Sequence, residues 1–298
     1  MTSIIRKSPS TGKGSPEVWG IYEADTGSVQ YIVADPMTRK AALIDVVQNF
    51  DPKSAKTSFA SAEEVLGLVE QNQLTVEWVL DTHPHADHLM ASHYLKEKAG
   101  APNAIGKKTC EIAKLWSEYY NLPSAFNPAK DFDYLFDEGD SFNIGELNVK
   151  VWLSPGHTLG SITYVIGDSA FVHDTFMFPD SGTSRADFPG GSSHDLWNSL
   201  QRILELPDTT RLFVGHDYGK DGREPQWEAT VAQHKQSNIH LADNVTEDEF
   251  RNTRDTRDAT LSLPDRMLHA LQVNLRAGKL PLKEDDGHHY FKIPANKF

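Results

Sequence analysis

The run His83-Pro84-His85-Ala86-Asp87-His88 packs four metal-competent side chains into six positions. Imidazole nitrogens and carboxylate oxygens are ligands of first-row metals, so the chemistry this stretch offers is that of bound metal. On a helix His83 and His85 would point to different faces. On a tight loop they converge, and two close metal sites become possible. The preceding segment, Val76 to Asp81, alternates apolar residues and then stops, which reads as a core strand delivering its ligands into a loop. The alternative is a polar loop with surface histidines, and ligand-type residues further along the chain argue against it.

Those further residues also stand at strand ends. Leu147 to Leu153, Ser161 to Ile166, Ala170 to His173 and Arg211 to Val214 read as strands. The first, third and fourth run out at His157, Asp174 and His216, so with His83 four strands bring ligands from distant parts of the chain to one sheet edge. Earlier strands are expected at Ser28 to Val33 and Ala41 to Val46, with a turn at Asp35-Pro36. Ser61-Ala62-Glu63-Glu64 is a capping-box pattern opening a helix to about Gln71. Helices are also expected from Leu89 to Lys98, from Thr109 to Tyr120, and after Ser192-Ser193-His194-Asp195 to about Leu206. Asn121 to Asp140 reads as a long loop. From Gln226 onward the chain reads as mostly helical, with a capping box at Thr246, Pro264 at a helix start, and a helix over Leu271 to Pro281 stopped by glycine. Strands followed by helices make α/β layers.

The composition limits the function classes. Of 298 residues, 39% are hydrophobic and 24% charged, which suits a soluble globular chain with a sizeable core. A net charge of -13 speaks against nucleic acid as a main partner and means that an anionic substrate needs a local cationic pocket. No apolar run approaches a membrane span. Residues 1–16 are polar and rich in Gly, Ser and Pro, without a signal-peptide core, and read as a flexible lead-in. A single cysteine, Cys110, excludes an intrachain disulfide and fits a reducing cytoplasm; it reads as a small buried residue, not a nucleophile.

His83-x-His85-x-Asp87-His88 followed by His157, Asp174 and His216 resembles the ordered signature of the metallo-β-lactamase superfamily. The resemblance implies a four-layer αββα sandwich with its metal site at the sheet edge, here over residues 17–225, and a mainly helical C-terminal extension over 226–298. Asp45 resembles the family's strand-end aspartate that supports the metal loops; the plain alternative is a turn aspartate. Ser184-Arg185-Ala186-Asp187-Phe188 and His216-Asp217-Tyr218 look like the persulfide dioxygenase (sulfur dioxygenase) family, in a longer bacterial type. That resemblance implies oxidation of glutathione persulfide with O2 to sulfite and glutathione at one Fe(II) held by His83, His157 and Asp174. Two histidines and one carboxylate leave three coordination positions for reactants. His85, Asp87, His88 and His216 then build the surrounding pocket, or are a vestigial second metal site. The resemblance also suggests a homodimer.

Arg185 suits a glutathione carboxylate because its planar fork is bidentate and always charged. Its alternative is a loop ion pair with Asp187. Tyr218 can offer its hydroxyl to substrate, or its ring can cap the core. Lys220 and Arg223 read as solvated loop cations. The rival function is a glyoxalase II-like hydrolase in which two metals, such as two Zn, attack a glutathione thioester through hydroxide. Lactamase activity and a non-catalytic metal module fit the residues less well. His93 and His194 read as helix residues, His173 as facing away from Asp174, and His288-His289 as a solvated pair.

Overall fold

The computed structural model describes residues 3–242 and 244–298. Its first half contains strands β1 (Ile4–Ser8), β2 (Glu17–Glu23), β3 (Ser28–Ala34), β4 (Lys40–Ile44), β5 (Val47–Asp51), β6 (Lys56–Ser58), β7 (Thr75–Leu80), β8 (Leu89–Met90), β9 (Asn103–Gly106) and β10 (Tyr134–Phe136). Seven of these form one sheet in the order β1-β2-β3-β4-β7-β9-β10, and β6-β5-β8 form a small one. The second half contributes β11 (Ser141–Ile144), β12 (Leu147–Leu153), β13 (Ile162–Ile166), β14 (Ser169–His173), β15 (Arg211–Val214) and β16 (Glu228–Thr230), which make a six-stranded sheet in sequence order.

The period of two in the strands explains the layering. Along β3, Val29, Tyr31 and Val33 join the core between the sheets, while Ile32 and Ala34 join the outer cluster with helix α1 (Ala60–Gln71) and helix α2 (Ser92–Ala99). β3 is therefore buried at every position. Across the interface stand Val149, Val151, Tyr164, Phe171 and Phe213 of the second sheet. Helix α3 (Thr109–Tyr120) and the short α4 (Pro128–Asp131) precede β10. Helix α5 (Ser193–Leu204) presents Leu196, Leu200 and Ile203 to the core, and Ser192 caps it by accepting from the Asp195 N–H. The remaining helices are α6 (Val231–Ser237), α7 (Glu247–Asp258) and α8 (Met267–Asn274). Two sheets face to face with helices outside are the αββα sandwich.

Several local expectations change. Ile4–Ser8, inside the expected flexible lead-in, pairs antiparallel with β2 along its whole length. The Ser61 motif does not cap α1: the helix starts at Ala60 after Phe59, and Ser61 Oγ accepts from Asn49 Nδ2 at 2.8 Å. A tertiary partner outcompetes the local cap. The helix expected from Leu89 begins only at Ser92, because Leu89–Met90 pairs with β5. Asn121 to Asp140 is not one long loop but contains α4 and β10. Past residue 226 the chain first adds β16 to the second sheet, and no helix follows α8. The Thr246 capping box is present and opens α7. Among the described residues no helix is long and apolar enough to cross a membrane.

Candidate metal centre

The strand ends converge on one edge. β7 runs into His83, His85, Asp87 and His88; β12 leads to His157, β14 to Asp174, and β15 through Gly215 to His216. The ligand atoms fall into two sets, His83-His157-Asp174 and His85-Asp87-His88-His216, each with its atoms within 4.8 Å of one another. In the first set, Asp174 Oδ2 lies 3.6 Å from both His83 Nε2 and His157 Nε2. In the second, His216 Nε2 lies 2.5 Å from Asp87 Oδ2, and His216 Nδ1 lies 2.5 Å from Asp174 Oδ1. His88 Nδ1 is 3.1 Å from Asp87 Oδ2.

The donor set fits a metal ion. His83 Nε2, His85 Nδ1 and His88 Nε2 are buried and make no hydrogen bond. A buried polar atom without a partner is destabilising, and several aimed together are what a cation would satisfy. The opposite ring nitrogens are tied down. His157 Nδ1 is 2.8 Å from the Arg185 carbonyl, and His83 Nδ1 is 3.1 Å from Thr82 Oγ1. Such contacts fix tautomer and ring orientation around a metal.

Asp45 is the support of this loop. Its Oδ1 and Oδ2 accept from the Thr82 N–H and hydroxyl, each at 2.8 Å, and Oδ1 stands 3.1 Å from His85 Nε2. Asp45 has φ +52°, an unusual conformation for a residue with a side chain. The bare turn-aspartate reading does not account for these contacts.

The electrostatics follow from burial and pairing. Burial disfavours charge on His83, His88 and His157 and lowers all three below the ordinary imidazole range. Burial opposes charge on His216 too, but Asp174 and Asp87 outweigh it and raise its pKa well above that range. Both carboxylates are held low in spite of burial, chiefly by His216.

Sequence patterning missed three supports. The alternation of β14 predicts His173 facing away from the site, yet it has φ +41° at a register shift, and its buried ring lies 5.1 Å from that of His83. Asn274 of α8 donates to the carbonyls of His85 at 2.7 Å and His88 at 2.9 Å, and accepts from the Met90 N–H. The α8 segment therefore fastens the ligand loop as well as covering the core. Ser28 Oγ, at the start of β3, lies 3.0 Å from both His88 Nδ1 and His216 Nε2. A lone asparagine or serine carries no motif, so only its neighbours reveal it.

A cavity of about 470 Å³ opens over the centre, with Asp87, His157, Asp174 and His216 in its lining. Arg185, Tyr218, Lys220, Arg254 and Arg257 also line it. Arg185 forms the ion pair with Asp187, two contacts of 2.7 Å, and donates to the Ser262 carbonyl at 2.7 Å. Arg254 is buried, pairs with Asp258 and donates to the Thr183 carbonyl at 2.8 Å. Asp258 also accepts from the Ala186 N–H at 2.8 Å, so α7 holds the 183–187 loop. Tyr218 is exposed and stacks over His216 with ring centres 6.0 Å apart. Lys220 donates to the Asp180 carbonyl, and Arg223 pairs with Asp180 and Asp217 rather than being free in solvent.

His93 and His194 lie on α2 and α5, as expected. His288 and His289 are exposed and belong to neither ligand set. Cys110, at the start of α3, is half-buried, and burial pushes its thiol up, away from nucleophilic reactivity.

Gly215 gives a direct test of the edge geometry. A Cβ there would lie 2.5 Å from Asp174 Oδ1. Gly215→Ala is expected to displace the carboxylate and lower bound metal about tenfold or more, by analogy with loss of a ligand-orienting contact, while circular dichroism stays unchanged. Full metal content in this variant would show that Asp174 does not hold the ion.

The metallo-beta-lactamase superfamily model matches residues 39–216. The chain belongs to this superfamily, and its two buried His/Asp sets are consistent with a metal-binding site. It is 54% identical over 95% of its length to a beta-lactamase hydrolase-like protein of Xylella fastidiosa, and spans 65% of that relative's length. It is 44% identical to glyoxylase B2 of Dictyostelium discoideum, covering 96% of this chain and 98% of that one. It is 26% identical to the mitochondrial persulfide dioxygenase ETHE1 of Bos taurus, over 92% of this chain and 93% of that protein. Among solved structures, ETHE1 from Myxococcus xanthus superposes with a TM-score of 0.70 at 27% identity, covering 93% of this chain and 100% of that one.

Proposed function

We propose that the chain is a persulfide dioxygenase that oxidises glutathione persulfide with O2 to sulfite and glutathione, using one Fe(II). The observation that carries this reading is the position of His216 between two carboxylates, 2.5 Å from Asp87 and 2.5 Å from Asp174. Hydrogen bonding engages both nitrogens of His216, while the imidazoles of His83 and His157 and the Oδ2 of Asp174 face one another. Those three residues would hold the metal. The chemistry Fe(II) supplies there is O2 activation beside a soft, anionic persulfide sulfur, which no protein side chain provides.

The chain's own residues do the rest. Thr82, Asp45 and the Arg185 carbonyl orient the ligand rings. Phe188, against His157 at 5.3 Å, keeps that side of the cavity apolar. Tyr218 offers a hydroxyl at the cavity wall. Arg185 spends three of its five N–H donors on the protein, so in this reading it shapes the wall and shares the glutathione carboxylates with Arg257, which is exposed at the same cavity. Arg257→Ala is expected to raise KM about tenfold, the worth of one charge-assisted contact, with kcat within about twofold. Initial rates against persulfide concentration check this, and an unchanged KM would remove Arg257 from the substrate site.

One observation favours a second reading. His85 Nδ1 and His88 Nε2 stay without a partner within the second set, which suits a second metal. That would make the chain a dinuclear hydrolase of glutathione thioesters. Anaerobic purification, metal analysis and parallel assays with glutathione persulfide and S-lactoylglutathione separate the two. One iron per chain with O2 uptake supports the dioxygenase; two zincs with thioester hydrolysis and no O2 uptake overturn it.

A further inference from the structure

His240 follows α6 and lines the substrate cavity, half-buried. Its Nδ1 accepts from the Thr183 N–H at 3.0 Å and stands 3.0 Å from the Thr183 hydroxyl. A ring nitrogen that accepts carries no proton, so the proton of this imidazole is on Nε2. Among the described residues Nε2 has no hydrogen-bond partner, whereas Nδ1 is turned to the loop.

The ring sits in a prepared seat. Asn238 Nδ2 donates to the Gly182 carbonyl at 2.9 Å, and Asn238 Oδ1 accepts from the His240 N–H at 3.0 Å. The Ile239 N–H donates to the Pro179 carbonyl at 3.0 Å. Gly182 has φ +85°, and a Cβ there would lie 2.3 Å from His240 Nδ1, so the glycine leaves the space the ring occupies. Burial, and then the charges of Arg254, Arg257 and Lys220, push the His240 pKa down to about 4. The ring is therefore uncharged at neutral pH. The Thr183 contact requires the same, since a charged imidazole would set N–H against N–H.

Thr183 by itself needs only an acceptor. An aspartate would supply one, but would place a negative charge beside Arg254, Arg257 and Lys220. Those cations are what draws an anionic substrate to a chain of net charge -13. The neutral imidazole accepts from the loop without cancelling them and keeps one donor for the cavity. Carboxylates are matched by guanidinium groups such as Arg257. A neutral N–H matches a neutral acceptor, and the neutral acceptors of a peptide thiol are its amide carbonyls.

We propose that His240 Nε2 donates to an amide carbonyl of the thiol that carries the substrate sulfur, so that the cavity selects a peptide thiol over a free amino-acid thiol. The inference rests on the proposed function for the sulfur that is carried. The amide contact itself is common to glutathione persulfide and to a glutathione thioester.

The test is titration calorimetry under argon on the zinc-loaded full chain, because zinc undergoes no redox change while ligand binds. Glutathione, its glycine monoethyl ester and cysteine are titrated into the wild type, His240→Phe and His240→Gln, and the thermal midpoint of each is recorded. Phenylalanine keeps a ring and removes both nitrogens; glutamine restores an acceptor and a donor. His240→Phe is expected to weaken glutathione and the ester about tenfold each, the worth of one hydrogen bond, and cysteine less than about twofold. His240→Gln should bring glutathione back to within about threefold of the wild type. Unchanged glutathione affinity in His240→Phe overturns the assignment, as does a wild type that binds cysteine as tightly as glutathione. An equal loss for glutathione and cysteine, in step with a lowered thermal midpoint, also overturns it and leaves His240 as a support of the 179–183 loop. A loss for glutathione without a loss for the ester moves the contact to the glycine carboxylate and overturns the amide assignment. No turnover is needed, so failure of the His240 contact is read separately from failure of the dioxygenase reading.

Discussion

Asp174→Ala is expected to fold, to retain less than about a tenth of the wild-type metal, and to turn over at least about a thousandfold more slowly, since the Lewis-acid term in such sites is several kcal/mol. Asp174 is the one carboxylate of its ligand set, with Oδ2 3.6 Å from the Nε2 of both His83 and His157. Its other oxygen stands 2.5 Å from His216, so the substitution also removes half of the charge that brackets that imidazole. Breaking one side of a buried pair costs about 3 kcal/mol or more, and the denaturation midpoint of the metal-free protein should fall accordingly. Asp174→Asn separates the two effects. It preserves the volume and a hydrogen-bonding oxygen, so it should recover much of the stability but little of the metal. Metal analysis and denaturant titration of both variants decide the matter. An alanine variant with a full complement of metal would transfer the ion to the His85-Asp87-His88-His216 set.

Asp45→Ala is expected to destabilise the fold by about 3–5 kcal/mol and weaken metal binding by about 10- to 100-fold, although Asp45 does not touch the ion. The carboxylate accepts from both the N–H and the hydroxyl of Thr82 and faces His85 Nε2. Removing it strands three buried polar groups, since Thr82 and His85 are both almost fully enclosed. Alanine would also have to hold φ +52°, which aspartate and asparagine tolerate better. Asp45→Asn should therefore keep most of the folding stability while still losing metal affinity. Urea unfolding and competition with a chromogenic chelator measure the two quantities. If alanine at 45 left the affinity unchanged, the ring orientation of His85 would owe nothing to Asp45.

The two substitutions mark different depths of legibility. Asp174 was readable because ligand residues sit at strand ends in a fixed order, and a strand end has only one place to deliver a side chain. The supporting role of Asp45 was suggested by resemblance, but its contacts join residues 37 positions apart and no local pattern encodes them. Arg185 shows the reverse case. Its chemistry suited a substrate clamp, yet Asp187, two residues on, offers a carboxylate with matching geometry, and the pair forms across the cavity wall. Ser61 failed as a cap for the same reason, because Asn49 reached it first.

The sequence by itself carried the strand alternation that sets which faces are buried and the strand ends followed by His or Asp that set the edge, and its resemblance to the superfamily implied the sandwich and the two ligand sets. Tertiary structure alone decided what surrounds them. His216 bracketed by Asp87 and Asp174, Asn274 returning from α8 to the ligand loop, His173 under His83, and Ser28 against His88 and His216 all depend on contacts between segments brought together only by folding. Ligand capacity is a property of residue type and local periodicity. Orientation and charge depend on which distant neighbour is within about 3 Å, and periodicity carries no information about that.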